Sequence, residues 1–330
     1  MKRLFKLALA ALVATAVLPG TGHAQNWRLH TLVKDPHPYN EAARHIIGEL
    51  DKVGIKVKLF PSGTLGNDPT VFDEMRLGTV DVMISSSNNA AKHVPELQVF
   101  SLAYLWPGYE AFTAATGADG PMLKRFQALF EQKNLGIKLL GIGSGGSRNM
   151  SNGVKAVETV ADIQGMKMRV PPSPVMLQVW EALGTQPVSV AWTELYAAIQ
   201  TGVAQALESS IAGYTGSKLY EVAPYLALTQ HEIQAGHVSV SQRSFDKLND
   251  EQKAAVIKAG AEAAQIMTET AVADEEKLLE TLKKDHGVTV TKPKIAGFQE
   301  KVEPLHESLA RDMGATDLLK TAREVGKAHM

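Results

Sequence analysis

The chain has 330 residues, 34 Lys and Arg against 35 Asp and Glu, a formal net charge of −1 and no cysteine. A near-neutral chain without a basic block excludes nucleic acid and anionic membrane surfaces as expected partners. The missing cysteine excludes a disulfide framework and a lipid-modified cysteine. The fold must therefore rest on an ordinary core, which a chain that is 45% hydrophobic can build, and the length suggests two domains.

The first residues read as an export signal. Lys2, Arg3 and Lys6 form a basic start, Leu7 to Leu18 an apolar run, Pro19 and Gly20 a break, and Gly22-His23-Ala24 a small-residue end. That layout predicts cleavage after Ala24, and the run is shorter than the roughly 20 residues of a membrane span. A soluble, periplasmic mature protein without stable membrane insertion is expected; an N-terminal anchor helix is the alternative.

Strand and helix patterns then alternate. Trp27 to Leu32 alternates apolar and polar residues, as a strand does, and Asn40 to Val53 has helical spacing through Ala43, Ile46, Ile47 and Leu50. Ile55 to Phe60 alternates again and stops at Pro61-Ser62-Gly63. Thr70 to Leu77 predicts a helix, Val80 to Ile84 a buried strand, and Lys138 to Ile142 another strand before Gly143-Ser144-Gly145-Gly146, where the chain is expected to change domain. The theme repeats with a helix around Val160–Ile163, a strand Met166 to Val170, a helix Pro174 to Leu183, a strand Pro187 to Val190, a helix Trp192 to Thr201, a strand Val203 to Leu207 and a helix Ser217 to Val222. Alternation of this kind predicts α/β architecture. Near the end, Asn249 and Gln252 form a capping box. The stripe after it runs to Gly287, with Asp274 on its apolar face. Some 35 residues at about 1.5 Å each give a helix of roughly 50 Å, enough to span two domains.

Gly141-Ile142-Gly143-Ser144-Gly145-Gly146 satisfies the dinucleotide-binding spacing. A helix must start at those glycines, however, and Ser147 to Gly153 reads as a loop or short strand. The histidines lack metal-ligand spacing, and no Gly-x-Ser-x-Gly elbow is present. No catalytic residue, cofactor or metal is expected. Arg169 stands apart. It lies near the carboxyl end of its strand, where ligands gather in open α/β sheets, and a guanidinium there offers a carboxylate two parallel donors. A structural ion pair or a solvated edge position is equally compatible with the spacing.

Ten or so motifs in order give the chain a family resemblance. They include Phe60-Pro61-Ser62-Gly63-Thr64-Leu65-Gly66-Asn67-Asp68, Leu77-Gly78-Thr79-Val80-Asp81, Arg148-Asn149, Gly165-Met166-Lys167-Met168-Arg169-Val170-Pro171, Glu194-Leu195-Tyr196-Ala197-Ala198-Ile199-Gln200-Thr201-Gly202-Val203 and Lys218-Leu219-Tyr220-Glu221-Val222. Together they resemble the solute-binding proteins of tripartite ATP-independent periplasmic (TRAP) transporters, the DctP-type family. The resemblance implies a two-domain periplasmic-binding-protein-like fold with hinge strands, discontinuous domains and a long C-terminal-region helix spanning both. With residues 1–24 as signal peptide, domain I is expected to take 25–145 plus about 234–273. Domain II takes 146–233 plus about 274–330.

It further implies a non-enzymatic protein that captures a small organic acid and passes it to membrane permease subunits. Arg169 pairs with the ligand carboxylate, Arg148 touches the ligand or supports Arg169, and Trp192 packs on the ligand. Asp68, Ser86 and Asn89 face the cleft from the first domain. Ser209 stands where the family usually has an asparagine, which shortens one pocket side chain and removes a donor. Sugar acids suit this lining best; hydroxy-, keto- and aromatic acids remain alternatives. An exported enzyme acting on a carboxylated substrate and an ABC-type binding protein are the competing functional classes.

Overall fold

The computed structural model describes residues 25–330, so the expected signal peptide lies outside the described residues. Among the described residues, nine strands join in one mixed sheet: β1 (Gln25–Thr31), β2 (Ile55–Phe60), β3 (Val82–Ser86), β4 (Ile137–Asn152), β5 (Lys167–Val170), β6 (Gln186–Ser189), β7 (Ala206–Ser210), β8 (Tyr225–Ser241) and β9 (Thr289–Thr291). Their order is β2-β1-β3-β8-β4-β7-β5-β6, with β9 beside β8. β1 pairs in parallel with β2 and β3 at one end. β5 pairs in parallel with β6 and β7 at the other.

The two long strands join these ends. β4 and β8 run antiparallel from Ile137↔Ser241 to Asn152↔Tyr225, and the register shifts between Ser144 and Ser147. The shift falls at Gly145 and Gly146, whose φ is +109°. A sequence reading expects a short strand and a crossover loop here. Instead the glycines sit inside a continuous 16-residue strand, and Ser147 to Asn152 belong to it. The glycines serve close packing. A Cβ on Gly143 would lie 2.0 Å from the Ala264 carbonyl oxygen, and one on Gly141 would lie 2.7 Å from the Ala264 Cβ. Nothing in this segment opens a helix, so the dinucleotide pattern has no structural counterpart.

The helix that presses on these glycines is the long one, Asp250–His286. It starts at the expected capping box, with Gln252 N donating to Asn249 Oδ1 at 2.8 Å, and stops at Gly287 in the left-handed region. Val256, Ala259, Ala263 and Met267 pack with Trp27, Leu29, Ile46 and Leu50 in one core. Leu282, with Leu278 and Leu279 beside it, packs with Tyr214 and Leu219 in another. The half-buried Asp274 lies between the two contact stretches.

Three local expectations are corrected. The strand read over Val203–Leu207 starts at Ala206, because Gly202 (φ +76°) turns the chain and leaves Val203 54% exposed. The helix read over Ser217–Val222 is an earlier helix, Ile211–Gly216, and a 3-10 turn, Leu219–Glu221; Lys218 at φ +54° separates them. Val160–Ile163 is a single 3-10 turn, capped by Thr159 and Asp162.

The glycine packing generates a stability test. Gly143→Ala is expected to lose about 2 kcal/mol or more, because the clash is with backbone rather than a movable side chain. Gly48→Ala, at an exposed helical position with open space around it, is expected to gain about 0.5–1 kcal/mol. Urea denaturation of both variants checks the contrast.

Candidate functional site

A cavity of about 480 Å³, including its mouth, lies beside the middle of the long strands. Arg148 and Gln234 of the long strands, Ser85 and Ser86 at the end of β3, Arg169 at the end of β5 and Ser209 of β7 all border it. All seven residues singled out from the sequence (Asp68, Ser86, Asn89, Arg148, Arg169, Trp192 and Ser209) line this one space.

Arg169 is 1% exposed. Met168 and Val170 turn into the core, which leaves Arg169 on the alternate face, and Pro171 ends the strand at the cavity. Its Nε donates to the Val190 carbonyl at 2.9 Å, and its Cζ lies 5.7 Å from the centre of the Trp192 ring. Nη1 has no hydrogen-bond partner, and no carboxylate lies within 4.0 Å among the described residues. Burial lowers its pKa to about 10, with Glu208 opposing and Arg148 reinforcing the shift, so the group stays cationic at neutral pH. A structural ion pair and a solvated edge position, both compatible with the sequence, are thereby absent.

Arg148 differs. Its Nη2 donates to Glu208 Oε1 at 2.6 Å and to the Glu208 carbonyl at 3.1 Å, while Nε donates to Oε2. Burial works against both charges. The pairing outweighs it, raising the arginine pKa and holding the Glu208 carboxyl well below the usual carboxylate range. His231 Nε2 lies 3.5 Å from the same carboxylate, and burial lowers the pKa of that imidazole. Arg148 therefore borders the cavity with its charge already matched.

The opposite wall is neutral or internally satisfied. Asp68 opens the helix Asp68–Leu77. It accepts from His30 Nε2 at 2.9 Å, from Asn89 Nδ2 at 2.6 Å and from the Ser85 hydroxyl. Asn88 Nδ2 donates to Glu232 Oε1 at 3.2 Å just behind the wall. Ser209 turns its hydroxyl to the Ser210 carbonyl at 3.1 Å. A Cβ on Gly213 would come within 2.7 Å of that hydroxyl and 3.2 Å of the Trp192 ring, so the short serine and the glycine together leave space beside the indole.

Sequence reasoning missed His37, Tyr39 and Gln234, which also line the cavity. His37 caps the helix Pro38–Asp51, its Nδ1 accepting from Tyr39 N at 3.2 Å. Burial and the nearby Arg148 lower its pKa to about 3, so it is neutral. Pro38 in the first turn marks the helix start, but only the fold brings that start to the cavity. Among the described residues no three His, Cys, Asp or Glu side chains gather as a metal site, and no helix is long and apolar enough to cross a membrane.

A two-ended α/β fold with a guanidinium-lined cavity at the middle of its connecting strands is that of a solute-binding protein. The family model for bacterial extracellular solute-binding protein family 7, DctP, matches residues 36–312, and the chain belongs to that family. An uncharacterized protein of Haemophilus influenzae is 31% identical over 267 residues, covering 81% of this chain and 80% of that protein. The 2,3-diketo-L-gulonate-binding periplasmic protein YiaO of Escherichia coli is 28% identical over 282 residues, 85% of each chain. Among solved structures, the sugar acid binding protein DctPAm of Advenella mimigardefordensis, in complex with galactonate, aligns with a TM-score of 0.85 at 27% identity, covering 91% of this chain and 98% of that one. A TRAP periplasmic solute-binding protein of Sulfitobacter, with bound β-D-galacturonate, aligns with a TM-score of 0.84 at 29% identity, covering 91% and 100%.

Two buried acids generate predictions. Glu208→Gln is expected to destabilise the protein by about 3–5 kcal/mol, since it strands a buried guanidinium; chemical denaturation measures it. Burial raises the Glu232 pKa to about 8, with Arg148 opposing and Glu208 reinforcing. A raised carboxyl pKa means that the folded state holds a proton the unfolded state has released. That group therefore costs stability as pH rises from about 4.5 to 8, by up to about 1.4 kcal/mol per pH unit. Glu232→Gln is expected to be more stable relative to the parent at pH 8 than at pH 5. Urea titrations at the two pH values check the sign.

Proposed function

We propose that the chain captures a polyhydroxylated monocarboxylate, a sugar acid, by an ion pair with Arg169 and hands it to the membrane permease of a TRAP transporter. The observation that carries this reading is the buried Arg169 guanidinium. It keeps its charge, lacks a carboxylate partner and borders the cavity with the six other residues singled out from the sequence. An unmatched buried cation is costly, and a ligand carboxylate supplies the missing charge together with hydrogen-bond acceptors. The second arginine is neutralised by Glu208 and Asp68 is enclosed by three donors, so the site has room for one negative charge rather than two. The remaining lining, Ser86, Asn88, Asn89, Ser209 and Gln234, is neutral and rich in donors and acceptors, as ligand hydroxyls require. Ligands of the structural relatives, galactonate and galacturonate, have this chemistry.

The boundaries proposed for the two domains remain 25–145 with about 234–273, and 146–233 with about 274–330, joined by β4, β8 and the long helix. Hinge bending at the glycine-rich register shift would open the cavity to admit ligand. Closure excludes water and strengthens the ion pair by lowering the local dielectric. Residues 1–24 are proposed as a cleaved signal that delivers the chain to the periplasm. Capture and release need no bond to be made or broken, so no enzymatic role is assigned.

A thermal-shift screen of sugar acids tests the reading: a ligand at about 100 times its Kd adds about 2.7 kcal/mol of stability. Arg169→Ala is expected to abolish binding and Arg169→Lys to weaken it severely, because a point charge replaces the planar fork. Near-parental affinity of either variant in calorimetry contradicts the role.

A further inference from the structure

Tyr39 is 2% exposed, and its hydroxyl has no hydrogen-bond partner among the described residues. It borders the cavity from the first turn of the helix Pro38–Asp51, outside the motifs that carry the family resemblance. Its ring stands edge-on to His37, with centroids 4.5 Å apart. Two glycines of the long strands make room for it. A Cβ on Gly236 would lie 2.4 Å from the Tyr39 hydroxyl, and one on Gly145 would lie 2.9 Å from the same atom. That second position would also lie 3.1 Å from Gln234 Oε1, so the phenol and the amide share one small patch of wall over Gly145. Gln234 is 7% exposed, and its amide makes no side-chain hydrogen bond among the described residues.

Buried polar groups are normally satisfied, and the unmatched Tyr39 hydroxyl of a cavity-lining residue asks for a partner from the ligand, with the Gln234 amide beside it. The geometry points to a subsite, made by Tyr39 and Gln234 over Gly145, that reads one ligand hydroxyl. This inference rests on the sugar-acid reading and deepens it: Arg169 fixes the carboxylate, and Tyr39 selects acids that carry an oxygen at one position of the chain or ring. Phenol and amide each donate and accept, so together they complement a hydroxyl, which does the same, better than a second carboxylate, which only accepts. An acid lacking that oxygen leaves both groups unmatched, which is how a polar site rejects a deoxy analogue. Gly145 and Gly236 are on this account part of the specificity device, since a methyl at either would displace the phenol.

Calorimetry with D-galacturonate, D-galactonate and their monodeoxy analogues tests the subsite. The parent protein is expected to bind one deoxy analogue about tenfold or more weaker than its hydroxylated counterpart. Tyr39→Phe is expected to weaken the hydroxylated acid about tenfold while leaving that deoxy analogue unchanged, so that the preference disappears. Its melting temperature without ligand should stay at or above the parental value, because the substitution removes an unmatched buried hydroxyl. Gln234→Met is expected to erase the preference at the same position. If both variants keep the parental preference, the subsite is overturned while the Arg169 anchor stands. If the parent binds neither sugar acid, the sugar-acid reading fails and takes the subsite with it.

Discussion

The bidentate pair between Arg148 and Glu208 decides what the cavity can bind. Two guanidinium groups border one enclosed space. Unpaired, they would repel each other and call for a dianion. Glu208 takes both Nε and Nη2 of Arg148 and removes one charge from the account, while its field also helps keep Arg169 protonated. What remains is a single buried cation whose Nη1 is unmatched. The pair bridges β4 and β7, so the arrangement that sets the cavity's charge also ties the long strands to the second end of the sheet. Such a pair is poor evidence of net stability, since desolvation offsets much of the attraction. Its consequence here is electrostatic.

The glycines of β4 do three different jobs within six residues. Gly141 and Gly143 let the long helix approach the strand at Ala264. Gly146 provides the positive φ at the register shift, and Gly145 clears space for the Tyr39 ring. Packing, bending and ligand-site shape therefore converge on the place where the long strands pass the cavity. A methyl group at Gly141 or Gly143 meets the long helix at Ala264, one at Gly145 meets the Tyr39 ring, and one at Gly146 meets the Ser210 Cβ at 3.0 Å.

Much of this was legible from the sequence. Alternation marked β1 and β2, where exposed and buried residues take turns, and a continuous apolar run marked β3, whose residues are all buried; the Asn249–Gln252 box and Gly287 gave both ends of the long helix because capping is local chemistry. The segment Gly143 to Asn152 was not legible. Glycines and serines carry no periodicity, and only pairing with β8 along its length makes them a strand. Val203 misled because an exposed apolar residue beside a turn looks like the start of a buried run. Of the cavity-lining residues, Arg169, Arg148 and Asp68 lie inside the family-like motifs, Trp192 and Ser209 lie just beside one, and Ser86 and Asn89 follow from their place at a strand end. Tyr39 and Gln234 were invisible for a physical reason. A tyrosine in a first helical turn and a glutamine in a long strand become ligand-facing only when the helix end is brought against the long strands.

The most direct test of the account is a crystal structure of this chain with D-galacturonate bound. The account places the ligand carboxylate within hydrogen-bond distance of Arg169 Nη1, about 2.7–2.9 Å, with the Arg148–Glu208 pair intact. A carboxylate bound to Arg148 in place of Glu208, or lying away from Arg169 altogether, would contradict it.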